Sequence, residues 1–155
     1  MKTETEAKEG TEGLAAGEGR LLYSASAILR RAFDQALAPR GITALQASVL
    51  AFLEEVGHPI TISQLARLLV LESPSVTTMV DRLSERGLVE RMGDPKDRRK
   101  TLVQLSEEGK RLTNSVREPG QQLYDQMFDV LTAEERQVLR AILRKFRDEN
   151  MAWLE

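Results

Sequence analysis

The residues best equipped for chemistry in this chain are charged or hydroxylated, and they fall in two short stretches. Asp94 to Lys100 reads DPKDRRK, two carboxylates among Lys96, Arg98, Arg99 and Lys100. Asp97 could hold an Arg guanidinium in one orientation through a bidentate contact and fix its fork. Upstream, Ser73, Pro74, Ser75, Thr77, Thr78, Asp81 and Arg82 put small hydroxyls and one cation along a helical pattern. None of this is catalytic equipment. Cysteine is absent, which removes disulfides, thiol nucleophiles, Cys-based zinc sites and thiol redox sensing. His58 is the one imidazole. A Ser-His-Asp set or a metal site needs partners that nothing else in the chain supplies, so His58, in Gly-His-Pro, reads as a turn residue. No glycine-rich phosphate loop is present. The expectation is a protein that is not an enzyme and carries no cofactor and no metal. What remains is recognition, by cations and hydroxyls, of something anionic.

Net charge is −2 over 155 residues, which on its face argues against a polyanion. The average hides an asymmetry: Arg86 to Lys100 carries six Lys/Arg against three Asp/Glu. Local potential, not net charge, governs the approach of a polyanion. The balancing acid lies elsewhere, some of it in the stretch 1–19, MKTETEAKEGTEGLAAGEG, which reads as a disordered acidic tail and not as a secretion signal. No apolar run approaches the ~20 residues of a membrane helix. The chain is therefore expected in the cytoplasm, with no membrane contact.

The elements that must position these residues follow from periodicity. Leu21, Leu22, Ala25, Ile28, Leu29, Ala32, Phe33, Ala36 and Leu37 recur at helical spacing until Pro39 and Gly41 stop the pattern. Thr43 with Gln46, Thr61 with Gln64 and Thr132 with Glu135 each match a capping box, in which two side chains satisfy two free N–H groups at a helix start. The first two boxes open helices lined by Leu45, Val49, Leu50, Phe52, Leu53 and Val56, and by Leu65, Leu68 and Leu69. The third opens the last helix. A further helix is expected from Ser73 as N-cap and Pro74 at N1, with Val76, Met79, Val80 and Leu83 on its inner face and Gly87 ending it. Met127 and Met151 also sit at apolar helical positions. LVERM and KTLVQL alternate as short strands around the charged loop. The long helical pattern after Ser106 is expected to kink or break at Pro119–Gly120.

Helix, tight turn, helix, then a two-stranded ribbon with a charged tip is the order of a winged helix-turn-helix. The expected fold is mainly α with a small β-hairpin wing. The helix from Ser73 would enter a DNA major groove, reading with its N-terminal residues and offering its N–H groups to phosphate. The loop holding Lys96, Arg98, Arg99 and Lys100 would reach the adjacent minor groove, whose narrow floor concentrates negative potential. This is the use the residues suggest for the charged loop.

At this point the sequence resembles the MarR family of bacterial transcriptional regulators, from about Leu21 to Leu143. The residues that carry it are TISQLARLL, PSVTTMVDRLSERGLVER, DPKDRRKTLVQLSEEG and LTAEER, with the pattern Asp97, Arg99, Leu105, Ser106 and Gly109 the most specific. The resemblance implies a homodimer joined by its N- and C-terminal helices. Residues 20–42 would be the N-terminal dimerisation helix, 43–109 the winged helix-turn-helix lobe and 110–155 the C-terminal dimerisation helices. It implies Arg99 as the wing-tip residue with Asp97 as its support, and Ser73, Pro74, Ser75, Thr77, Thr78 and Arg82 facing the major groove or its phosphates. Arg98 and Lys100 complete the expected DNA-binding set. Two departures stand out: Thr78 occupies a place where many relatives carry Arg, and Pro119–Gly120 interrupts what is usually one long helix.

Members of the family often bind small aromatic acids between the dimerisation helices and the DNA-binding lobe. Tyr23, Arg30 and Arg31 are the residues expected to line such a pocket, whereas Trp153 is expected in a dimer interface. The clustered His of zinc-sensing relatives and the Cys of peroxide sensors are missing. The expected function is a sequence-specific regulator of double-stranded DNA, of repressor type, with a small aromatic effector. The alternative is a winged-helix dimer that binds a protein and no DNA.

Overall fold

The computed structural model describes residues 17–97 and 99–151. Most of the acidic tail, Arg98 and Trp153 lie outside the described residues. The chain forms two compact units, one ending at Pro119 and one beginning at Gly120.

In the first unit, α1 (Glu18–Leu37) runs into a short 3-10 turn, Ala38–Arg40, closed by Gly41 in the left-handed region at φ 68°. Then come α2 (Ala44–Val56), β1 (Ile60–Thr61), α3 (Ile62–Leu69), α4 (Ser73–Glu85), β2 (Val89–Gly93) and β3 (Thr101–Leu105). Helix α5 (Glu107–Phe128) begins in this unit. In the second unit, α6 (Ala133–Asn150) follows a turn.

All three capping boxes form as the sequence predicts: Thr43, Thr61 and Thr132 each accept from the third backbone N–H, and Gln46, Gln64 and Glu135 reach back. The core is continuous through the first unit. It takes Val49, Leu50 and Leu53 from α2, Leu65 and Ala66 from α3, and Val76, Val80 and Leu83 from α4. Leu88, Val89, Val103 and Leu105 close it from the sheet side. Met79 packs against this core, as expected.

Four readings change. The wing is not a lone hairpin: β1 adds a third antiparallel strand in the order β1-β3-β2, with Ile60 opposite Val103 and Thr61 opposite Leu102. A strand of two residues leaves no alternation to detect, and Thr61 is at the same time the N-cap of α3. Ser73 is not the N-cap of α4; Glu72 is, with no side-chain bond, and Pro74 sits within the first turn where its missing N–H costs nothing. No break occurs at Pro119–Gly120, since α5 continues through Pro119 to Phe128. One proline removes a single helical bond, at a cost of about 3 kcal/mol, from a helix long enough to bear it. Leu68, expected on a buried face, is 43% exposed, and Ala66 is buried in the core.

Among the described residues, the stripe on α1 is only partly covered. Leu37 is buried, yet Leu21, Leu22, Tyr23 and Ile28 are exposed. On α6 of the second unit, Val138, Ile142, Leu143 and Phe146 are exposed likewise.

Candidate nucleic-acid interface

Helix α4 is held by its inner face and its last turn. Val76, Val80 and Leu83 are fully buried. At its end, the Leu88 N–H bonds the Leu83 carbonyl at 2.9 Å and the Gly87 N–H bonds that of Ser84 at 2.8 Å. Gly87 takes φ 68°, so the helix stops in a Schellman turn that favours glycine. The opposite face is thereby presented outward: Ser75, Thr78 and Arg82 are exposed, Thr77 half-buried. Pro74 is exposed and Ser73 half-buried at the first turn. The Thr77 hydroxyl donates to the Ser73 carbonyl at 2.9 Å and that of Thr78 to the Pro74 carbonyl at 3.2 Å.

The wing is built from β2 and β3, whose register is pinned by a cross-strand bond from Gln104 to Glu90 at 2.6 Å. At the tip, the Asp94 N–H bonds the Lys100 carbonyl and the Asp94 carboxylate accepts the Lys96 N–H at 2.8 Å. Asp97 is the hub. Its Oδ1 accepts the backbone N–H of Arg99 at 3.1 Å and Arg99 Nε at 3.3 Å, and its Oδ2 faces Lys100 Nζ at 3.7 Å. The support predicted for Arg99 is therefore present but not bidentate. One carboxylate oxygen takes both N–H groups because they come from the same residue two positions on. The Arg99 side chain stays 91% exposed. The Arg99 backbone N–H first, then its side chain, then Lys100 hold the Asp97 carboxyl below its ordinary value.

A second pair was not legible in the sequence. Asp81, on the outward side of α4, is ion-paired with Arg91 on β2. The residues are ten apart, and only the fold of the ribbon against the helix brings them together. The hint available was an opposite charge on the strand following the helix. Two further residues fasten the lobe. Arg86, at the end of α4, donates from Nη1 to the Gly41 carbonyl at 2.6 Å, tying this helix to the turn after α1. The Ser106 hydroxyl donates to the Gly87 carbonyl at 2.6 Å and accepts the Gly109 N–H at 2.9 Å, joining the end of α4 to the start of α5.

A cleft of about 540 Å³ opens between α1 and α2, lined by Ala27, Arg30, Arg31, Asp34, Thr43 and Leu45. Asp34 is committed, its Oδ1 accepting the Ala44 N–H at 2.7 Å. Arg30 and Arg31 both line the cleft, whereas Tyr23 lies outside its lining and is exposed. His58 lies in its turn with Nδ1 3.1 Å from the Pro59 carbonyl.

Among the described residues, no single helix is long and apolar enough to cross a membrane. The model of the MarR family matches residues 40–100, the stretch from the turn after α1 to the wing tip. The multiple antibiotic resistance protein MarR of Salmonella typhimurium is 34% identical over 128 residues, covering 82% of this chain and 88% of that protein. A crystal structure of a mutant MarR from Escherichia coli complexed with operator DNA is similar with a TM-score of 0.77 and 32% identity, covering 83% of this chain and 91% of that one. Bordetella bronchiseptica BpsR, in a structure addressing regulation of its DNA binding by 6-hydroxynicotinic acid, is similar with a TM-score of 0.79 and 29% identity, covering 85% of this chain and 94% of that one.

Proposed function

The chain belongs to the MarR family of transcriptional regulators, which are not enzymes, and on that premise we propose that it is a homodimeric, sequence-specific binder of duplex DNA acting in the cytoplasm as a repressor. Helix α4 enters the major groove with Ser73, Pro74, Ser75, Thr77, Thr78 and Arg82. The wing enters the adjacent minor groove with Arg99, positioned by Asp97 and flanked by Arg98 and Lys100. The observation that carries this reading is the Asp97–Arg99 pair: an exposed guanidinium held in place by a carboxylate beneath it. A preset, exposed cation suits a narrow groove of high negative potential. The relative crystallised on operator DNA supports the same use of the fold.

The exposed apolar faces of α1 and α6 are covered by a second copy, since faces of this kind left in water mark interfaces. The two half-sites then lie roughly one helical turn apart, ~10 bp, on one face of the duplex. Bound over a promoter, the dimer blocks RNA polymerase. The cleft at Arg30 and Arg31 takes a small aromatic acid, its carboxylate on the guanidinium groups and its ring against Ala27 and Leu45. The BpsR neighbour supports an effector of this chemistry. Regulation is a difference in effector affinity between two dimer geometries, with no covalent step.

Selection from a random duplex pool with the purified dimer in moderate salt tests the reading. The expected result is an enriched inverted repeat whose affinity falls steeply with salt, as counterion release requires. A dimer that enriches no duplex, with and without aromatic acids, removes DNA from its function.

A further inference from the structure

We propose that Thr78 reads its base through a methyl group, so that each half-site carries a thymine at the position Thr78 faces. The inference rests on the DNA-binding reading and adds the base chemistry that the exposed side of α4 recognises.

A threonine hydroxyl has one proton to give. In α4 both candidate reading threonines have given it to the helix itself, Thr78 to the Pro74 carbonyl at 3.2 Å and Thr77 to the Ser73 carbonyl at 2.9 Å. Neither can then donate to the O6 and N7 acceptors of guanine, the pair an arginine addresses. With Oγ1 turned back toward the preceding turn, Cγ2 is what the exposed Thr78 presents outward. Thr77 is half-buried and presents less. The apolar feature of the major groove is the C5 methyl of thymine, and methyl-to-methyl contact is the match. The neighbours do not compete for the same role. The Asp81 carboxylate is taken by Arg91, and Arg82, one turn further on, is a cation suited to guanine or phosphate. Thr78 thus offers a thymine-reading methyl where an arginine would offer a guanine-reading donor.

The test uses the full-length dimer and the repeat selected above. Each thymine in turn is replaced by deoxyuridine, which removes the methyl and nothing else. The expected result is one position per half-site at which the wild type loses about fourfold in affinity, the scale of one buried methyl. Thr78→Ser, which lacks the methyl, then binds the two duplexes equally. Thr78→Val keeps the discrimination, because its preferred helical rotamer sets methyls where threonine carries methyl and hydroxyl. Position 78 is exposed, and the thermal midpoint of each variant verifies that the fold is kept. Two results overturn the proposal: no deoxyuridine-sensitive position that Thr78→Ser abolishes, or a Thr78→Val protein as impaired as Thr78→Ala. Either leaves the DNA-binding reading standing, whereas failure to select any repeat removes both.

Discussion

Asp97 holds Arg99 by two N–H groups on a single carboxylate oxygen, one from the backbone and one from the guanidinium. The first fixes the course of the chain at the tip and the second fixes where the side chain leaves it. Arg99→Ala is expected to cost about 1–3 kcal/mol in duplex affinity. Asp97→Asn, which keeps an acceptor but loses the charge, is expected to cost less. The Asp97 carboxyl is lowered from 3.8, so its contribution is complete above that value and is lost only as pH falls through the lower folded value. Duplex titrations between about pH 5 and pH 8 should therefore show no break assignable to Asp97. An Arg99→Ala protein that binds as well as wild type takes the wing out of the mechanism.

Arg91 is ion-paired with Asp81 on the outward side of α4, the side proposed to meet DNA. Arg91→Ala exposes that carboxylate to phosphate and should weaken duplex binding by about 1 kcal/mol, the scale of an exposed charge effect. Asp81→Ala added to Arg91→Ala should recover most of it. A double-mutant cycle in duplex affinity is the measurement; strictly additive losses would show that the pair plays no part in the bound state.

Gly109 lies in the first turn of α5 against the Leu88 carbonyl, and a Cβ there would run into that oxygen and crowd Leu105 Cδ1 at 2.7 Å. The obstacle is backbone, which cannot rotate away. Gly109→Ala should destabilise by about 3 kcal/mol, at the upper end for overpacking, despite alanine's better helix propensity. Urea titration measures it, and a neutral or stabilising result would contradict the packing described.

Val70 caps α3 in the left-handed region at φ 55°, a conformation a β-branched residue adopts with strain. Its side chain is 47% exposed, so little packing is lost on replacement. Val70→Asn should raise stability by roughly 0.5–1 kcal/mol, since asparagine tolerates this region. A lower urea midpoint for the variant would mean that the Val70 side chain contributes more than its exposure implies.

What was legible in the sequence was local. Each capping box is a pair of residues three apart whose chemistry does not depend on the rest of the fold, and all three formed. The inner face of α4 was readable because Val76, Val80 and Leu83 repeat at the helical period. Features that depend on distant segments were not. The Asp81–Arg91 pair, the Arg86–Gly41 bond and the pairing of Ile60 with Val103 need the chain to be folded before they exist. Pro119 does not break α5, because a residue that ends short helices is outweighed within a helix this long. The candidate site divides in the same way. Asp97 and Arg99 are two residues apart and were found together, though the single-oxygen contact follows from a loop path that composition does not encode.

The bond from Arg86 to the Gly41 carbonyl has a mechanical consequence. Gly41 lies in the turn after α1, and Arg86 lies at the end of α4. The bond links positions 45 apart in the chain and adds a polar tie to the apolar packing of Leu37 and Ile42 in the core they share with α4. The end of α4 is thus stapled to the turn after α1 within one compact unit, beyond what the shared core alone provides.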